Sequence, residues 1–225
     1  MALPHHALVA ALVSAVMLGA PSVALADEAT QLMTAAGHEP DLDLEEEEAS
    51  PLPTLVGEVH LSAVIPFARE PLCPVDRPCV LGGGGGIGGT LEHRWSIGFA
   101  LFVGYDAWFL DSDGVYEIGV LQLLRAGARY VFMMDSLLHP FLDAGVGLVL
   151  FGDTFLVSAA GGAIQLTLGA EIELSDEIAM TLSTAWRFFV TSEFSTSSDR
   201  TVRGGEGLNA AVAIQIGFAL TPETT

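Results

Sequence analysis

The chain contains no lysine. All eight of its basic residues are arginine (Arg69, Arg77, Arg94, Arg125, Arg129, Arg187, Arg200 and Arg203), set against 28 Asp and Glu for a formal net charge of −20 over 225 residues. This excludes nucleic acid as a partner, because neutralising phosphates takes a basic patch. Charge of either sign is scarce, at 16% of residues, where soluble proteins average about 25%. Cysteine is nearly absent: the two present, Cys73 and Cys79, are too few ligands for a structural zinc, and neither a metal nor a cofactor is expected. Long apolar runs are missing too. Beyond the N-terminus no window holds the roughly 18 to 20 uninterrupted apolar residues that a membrane helix needs, since Arg125, Asp143, Glu171 or a glycine cluster always intervenes. Yet 51% of the residues are hydrophobic and the mean hydropathy is +0.51. The apolar content must therefore be spread over short segments, and a chain of this length is suited to one all-β domain.

Residues 1–26 have the form of an export signal: an apolar run from Ala7 to Ala20, a helix-breaking Pro21, then Ala24-Leu25-Ala26 before Asp27, with cleavage expected after Ala26. Its leading portion carries His5 and His6 and no Lys or Arg, and an uncleaved anchor helix is the alternative. Export bears on the cysteines. Cys73 and Cys79 lie in one short loop, and in an oxidising compartment such a pair is expected to bond, free thiols being the other state. Residues 27–53 carry nine acids and no base, Glu45 to Glu48 in succession, which marks an acidic disordered linker.

From Thr54 onward the hydrophobic period is two, that of strands with one apolar face. Ile164, Leu166, Leu168, Ala170, Ile172 and Leu174 alternate with Gln165, Thr167, Gly169, Glu171 and Glu173. The same holds for Ile178 to Val190, for Trp95 to Phe109, and for Leu208 to Leu220. With weaker candidates this predicts eight strands, at 54–67, 80–92, 95–109, 115–132, 140–151, 160–174, 178–191 and 206–220, and a tail at 221–225. Eight is an even number, as a single-chain bacterial membrane barrel requires, and each strand is long enough to cross a bilayer at a tilt. Long connections at Ala68 to Cys79 and Ser192 to Gly205 alternate with short ones at Glu92 to Trp95 and Leu174 to Ile178.

The polar face decides which side is wet. On a soluble lipid-binding barrel that face would be the surface, dense in Lys, Glu and Asp; here it is mainly Gly, Ala, Ser and Thr. It suits instead the narrow, side-chain-filled lumen of an eight-stranded barrel. The expected architecture is an all-β, eight-stranded antiparallel up-and-down transmembrane barrel over residues 54–220. Its lumen would hold a charge network of Glu58, His60, Glu92, Asp106, Glu117, Arg125, Arg129, Asp143, Glu171, Glu173 and Arg187. Aromatics near strand ends (Phe67, Trp95, Trp108, Phe109, Tyr116, Tyr130, Phe132, Phe141, Phe151, Phe188 and Phe218) would form two interfacial girdles.

The run Gly127-Ala128-Arg129-Tyr130-Val131-Phe132, a turn, and Pro140-Phe141-Leu142-Asp143-Ala144-Gly145-Val146-Gly147 resembles the fourth and fifth strands of the small bacterial outer-membrane β-barrels, the broad OmpA-like group. Leu168 to Asp176 resembles the next inner hairpin. The pattern departs from the group at the end, where Phe218 is followed by seven further residues. The resemblance implies a Gram-negative outer-membrane location, membrane lipids and the barrel-insertion machinery as partners, and a monomer with a structural or surface-interaction role or a narrow pore.

Two motifs invite chemistry. Gly82 to Gly86 with Gly88 and Gly89 lacks the Lys-Ser/Thr pair of a phosphate loop and reads as a strand entry with close backbone packing. His60 and Ser62, with Glu58 beside them, resemble the His-x-Ser pair of outer-membrane lipid A deacylases, which makes a lipid-modifying enzyme one alternative; a soluble periplasmic lipid-binding barrel is another. Asp111 and Asp113 read as turn formers. No catalytic residue is assigned.

Overall fold

A computed structural model describes residues 54–134, 136–175, 177–196, 201–205 and 207–221. The expected signal segment, the acidic linker and the tail from residue 222 onward lie outside the described residues. Where the sequence alternates between large apolar and small or polar residues, the backbone is extended, because only a strand sends successive side chains to opposite faces. Ten strands result: β1 Thr54–Ala68, β2 Gly84–Arg94, β3 Phe99–Leu110, β4 Gly119–Val131, β5 Leu138–Asp153, β6 Leu156–Ser175, β7 Ile178–Thr191, β8 Phe194–Ser195, β9 Val202–Arg203 and β10 Asn209–Leu220. Eight of them close a barrel in the order β1-β10-β7-β6-β5-β4-β3-β2. Every neighbouring pair is antiparallel, and β1 seals the ring by pairing with β10 from Gly57 opposite Leu220 to Ala68 opposite Ala210. The two-residue strands β8 and β9 form a separate hairpin within the last long loop.

The two faces are inverted relative to a soluble barrel. Val59, Leu61 and Ile65 of β1, Leu101 and Val103 of β3, Ile164 and Leu168 of β6, and Ile214 and Ile216 of β10 are exposed, Leu61 at 61%. Between them point inward Glu58, His60 and Ser62, Gln165 and Thr167, and Ala213 and Gln215, all buried. Such an apolar exterior all round the barrel far exceeds the few hundred Å² that a water-soluble surface tolerates in one patch. In a bilayer the same arrangement pairs the strand backbones within a closed ladder that has no free edge and gives hydrocarbon an apolar wall.

One end carries short turns and the other carries loops. At the turn end β2 and β3 are joined through residues 95–98, β4 and β5 through 132–137, and β6 and β7 through 176–177. The loop end bears residues 69–83, 111–118 and 192–208. There the outer connection expected between 151 and 160 is replaced by longer strands. β5 and β6 run on to Asp153 opposite Leu156 and turn on Thr154 and Phe155, which have φ of 43° and 70°.

The aromatic girdles are smaller than the sequence suggests. Tyr130 and Phe132 pack edge to face at 4.8 Å, and Trp95 stacks on Phe99 at 5.5 Å near the turn end. Phe67 meets Phe188 at 6.3 Å and Phe109 meets Phe155 at 6.2 Å near the loop end. Trp108, Phe141 and Phe151, expected in the girdles, instead face the lumen and are 0%, 2% and 0% exposed. Tyr116 is partly buried against Phe151.

Candidate functional site

The lumen has two layers of opposite character. Around its middle and turn end, inward positions of β1 to β7 gather four guanidinium groups (Arg94, Arg125, Arg129, Arg187) and five carboxylates (Glu58, Glu92, Asp106, Asp143, Glu171), with His60 among them. Strand register brings them together from distant sequence. Glu58 lies opposite Thr90, Gly88 opposite Asp106, Gly104 opposite Arg125, Arg129 opposite Asp143 and Gln165 opposite Arg187.

Arg129 is the hub of one half. Its guanidinium reaches Glu58 at 3.1 Å, Asp143 at 3.2 Å and Glu171 at 3.4 Å, and also pairs with Glu92. Its flat face lies 4.1 Å from the Phe141 ring centroid, a cation–π contact strengthened by exclusion of water. Arg94 adds a two-pronged bond to Glu171 at 2.7 and 2.8 Å and a third contact to Glu92 at 3.1 Å. Asp106 is the hub of the other half, accepting from Arg125 Nε at 2.7 Å and lying 3.1 Å from Arg187 and 2.7 Å from His60 Nε2. The other ring nitrogen of His60 faces Glu58 at 3.6 Å, linking the halves. Arg187 covers the Trp108 ring at 4.5 Å. A buried guanidinium is tolerated only with such surroundings, since an unpaired charge there costs several kcal/mol.

The glycine run finds its reason here. Gly86 and Gly88 lie on the inward face of β2 opposite Ser62 and His60, where a side chain at Gly86 would come within 2.6 Å of Trp108 Cδ1, and one at Gly88 would collide with Asp106 Oδ1 and His60 Nε2. The backbone of β2 therefore lies flush against residues reaching across the lumen, as a phosphate cradle would not.

Above this layer the lumen is apolar. Val64, Trp108, Leu110, Leu121, Leu123, Val149, Phe151 and Phe189 fill it. The loops close it: Leu72, Val80 and Leu81 from residues 69–83 are 0% exposed, and Phe194 enters from the β8–β9 hairpin. The first loop is held in shape by the Cys73–Cys79 disulfide. It is tied to its neighbours by Arg203 Nη2 donating to Pro78 O (2.8 Å), Gly204 N to Pro71 O (2.7 Å) and Cys79 N to Asp113 Oδ2 (2.9 Å). Asp111 and Asp113 shape their own turn, Asp113 N donating to Asp111 Oδ1 at 3.2 Å.

Nine of the eleven lumen residues expected from sequence are buried together. Glu117 is not: it is exposed in the loop before β4, which starts at Gly119 and not at 115, so the alternation expected of it never applies. Glu173 is displaced as well, to the turn-end rim, where its side chain is 48% exposed and faces His139 at 3.5 Å. Arg94 joins the lumen because β2 runs two residues past the strand end expected at Glu92, and it shares the parity of Thr90 and Glu92. The apolar plug leaves no alternation in the sequence, because Leu121, Leu123, Val149 and Phe151 make both faces of their strands apolar.

His60 and Ser62 form no nucleophile–base pair. His60 is engaged by Asp106 and Glu58, and the buried Ser62 hydroxyl has no hydrogen-bond partner among the described residues. Both face the lumen, away from the lipid-exposed wall. No cluster of metal-ligating residues occurs among the described residues.

No family model and no curated protein matches the sequence. Solved structures do match the fold. Neisserial surface protein A is 12% identical with a TM-score of 0.53, over 74% of this chain and 96% of its own. The outer membrane protein AlkL, determined in lipid bilayers, is 12% identical with a TM-score of 0.50, over 86% of this chain and 98% of its own. The closed eight-stranded antiparallel ring is the fold of these small outer-membrane β-barrels.

Proposed function

We propose that this chain is a non-conducting outer-membrane barrel with no enzymatic activity, a membrane-anchored platform that presents its long loops, the first of them stapled by a disulfide, at the cell surface. The observation that carries this reading is the filled lumen. A layer of mutually paired charged groups lies beneath an apolar plug that includes Leu72, Val80, Leu81 and Phe194, which supports a lumen filled by side chains and not by a solute path. This reading favours a closed barrel over the narrow pore. The long elements at the loop end are then the parts free to meet a partner, and among them the loop 69–83 is the most firmly held.

Planar-bilayer recording of the purified protein tests the reading, together with gel mobility with and without boiling. The expected result is a heat-shifted band, as a detergent-resistant folded barrel gives, with no unit conductance above the bare bilayer. Steady channels from material that shows the heat shift would overturn the non-conducting role. A protein soluble without detergent and lacking the shift would overturn the membrane barrel itself.

A further inference from the structure

His60 has glycine on both of its strand neighbours, Gly88 of β2 and Gly217 of β10. A side chain at Gly88 would collide with its Nε2, and one at Gly217 with its Cβ, so the imidazole lies in a slot that only glycine leaves open. It is buried there. Its two nitrogens face carboxylates from different strands, Nε2 at 2.7 Å from Asp106 Oδ1 and Nδ1 at 3.6 Å from Glu58 Oε1. A neutral ring carries one N–H and one bare lone pair. In that form it could donate to one of these carboxylates only and would turn a lone pair on the other.

The charges around the ring point the same way. The layer holds four guanidiniums and five carboxylates, so a neutral His60 leaves it one negative charge in excess. That excess would lie beneath an apolar plug and inside a lipid-facing wall, where an unmatched charge is strongly disfavoured. Every carboxylate already meets a guanidinium: Arg129 serves four of them, Arg94 adds contacts to Glu92 and Glu171, and Arg125 and Arg187 converge on Asp106. The missing positive charge therefore falls to the one basic side chain left in the layer.

We infer that His60 is an imidazolium in the folded barrel, the fifth cation of the lumen, and that its two N–H groups latch Asp106 to Glu58. No other ion pair joins the Arg129 half of the network to the Asp106 half among the described residues. The latch is sensitive to pH. When the ring loses a proton, a lone pair replaces one N–H against a carboxylate and the layer regains its surplus negative charge, so the barrel weakens as pH rises. The charged groups facing the ring, directly or through its two carboxylates, are Glu58 of β1, Asp106 of β3, Arg125 and Arg129 of β4 and Arg187 of β7. The arginines keep their charge throughout, which leaves the histidine as the group that switches.

Ring nitrogen-15 spectra of the histidine-labelled, detergent-folded protein at pH 7 test the charge directly, with His60 assigned by its absence from a Glu58→Gln/His60→Gln variant. Each preparation is first checked for the heat-shifted band, so that loss of the barrel and absence of the latch are separate results. The expected signature is two protonated nitrogens of near-equal shift; one protonated and one bare nitrogen overturns the proposal. Urea unfolding between pH 7 and 9 is the second measure. The unfolded ring releases its proton in that range and the folded ring holds it, so the parent's folding equilibrium is expected to fall by up to about tenfold per pH unit, the slope of a single proton. The His139–Glu173 pair at the rim is common to every variant, so the slope is read against His60→Gln, which should have a lower midpoint at pH 7 and lack this fall. Adding Glu58→Gln leaves four cations facing four carboxylates and should restore most of that midpoint, since Gln keeps the side chain's shape and its carbonyl can still accept from Arg129. Where His60→Gln alone gives no folded band, the double variant is the reference for the slope. A parent profile parallel to its reference, or a double variant that folds no better than His60→Gln, overturns the latch.

Discussion

His60 Nε2 and Asp106 Oδ1 lie 2.7 Å apart beside the backbone of Gly88. The three residues come from β1, β3 and β2, and the contact exists only because the middle one has no side chain. Gly88→Ala is therefore expected to drive the pair apart and to destabilise the barrel by about 1–3 kcal/mol, the usual cost of overpacking an interior site. Gly57→Ala, where an added methyl meets nothing within 4 Å, is the matched control and should be near neutral. Urea or heat unfolding followed by the gel shift measures both; equal midpoints for the two variants would remove the packing account of the glycine run.

Arg129 serves four carboxylates at once. Replacing it with Met leaves Glu58, Glu92, Asp143 and Glu171 facing one another with Arg94 as the nearest remaining guanidinium, so the loss is expected at the upper end for a broken buried pair, about 3–5 kcal/mol. Arg129→Lys keeps the charge but cannot span the same set of partners or lie flat on Phe141. It should recover less than half of that loss in the same unfolding measurement.

How much of this was legible beforehand depends on which signal each residue leaves. Glu58, His60, Glu92, Asp106, Arg125, Arg129, Asp143, Glu171 and Arg187 were readable as lumen residues because each interrupts an apolar alternation with a polar side chain of fixed parity. Strand ends were less readable, since hydrogen bonding to a neighbouring strand, not side-chain pattern, decides where a strand stops: hence Arg94 inside, and Glu117 outside. The plug left no pattern at all. An inward Leu121 between outward-facing neighbours looks the same in sequence as a strand buried on both faces, and only the loop residues Leu72, Val80 and Leu81 descending onto it give it meaning.

The plug makes its own prediction. Leu81→Asp places a carboxylate at a position with 0% exposure in the buried apolar cluster that also holds Trp108 and Phe151, where an unpaired charge is intolerable, so the first loop is expected to lift away from the barrel mouth. The charged layer beneath remains, so the variant should show brief, low-amplitude conductance in planar bilayers where the parent is silent, and the lifted loop should become a protease site. A variant that is both silent and protease-resistant would mean that the loop does not seal the lumen.

The disulfide between Cys73 and Cys79 closes a short loop, six positions apart, for which loop-closure entropy gives about 2 kcal/mol. Because that loop seats Leu72, Val80 and Leu81, the stabilisation belongs to the barrel mouth and not to the strand ring. Cys73→Ser/Cys79→Ser is expected to keep the heat-shifted band and its unfolding midpoint while raising amide exchange at 72–81. A fall in the ring's own midpoint comparable to that of Arg129→Met would place the disulfide in the barrel's global cooperative unit instead.

The β5–β6 turn tests a different cost. A two-residue hairpin with both residues at positive φ matches strand twist, but it favours Asn and Gly, and here Thr154 and Phe155 occupy it at 43° and 70°. Phe155 repays part of its strain by packing on Phe109, whereas Thr154 is β-branched and its hydroxyl bonds only to the neighbouring Asp153 carboxylate at 3.1 Å. Thr154→Asn should therefore stabilise the protein by about 0.5–1 kcal/mol. Phe155→Gly should gain less, since relief of strain is offset by loss of the ring contact. Unfolding midpoints of the two variants decide the matter: the Asn substitution must rank above the Gly substitution, and a reversed order would mean that the aromatic pair contributes nothing to holding this end of the barrel together.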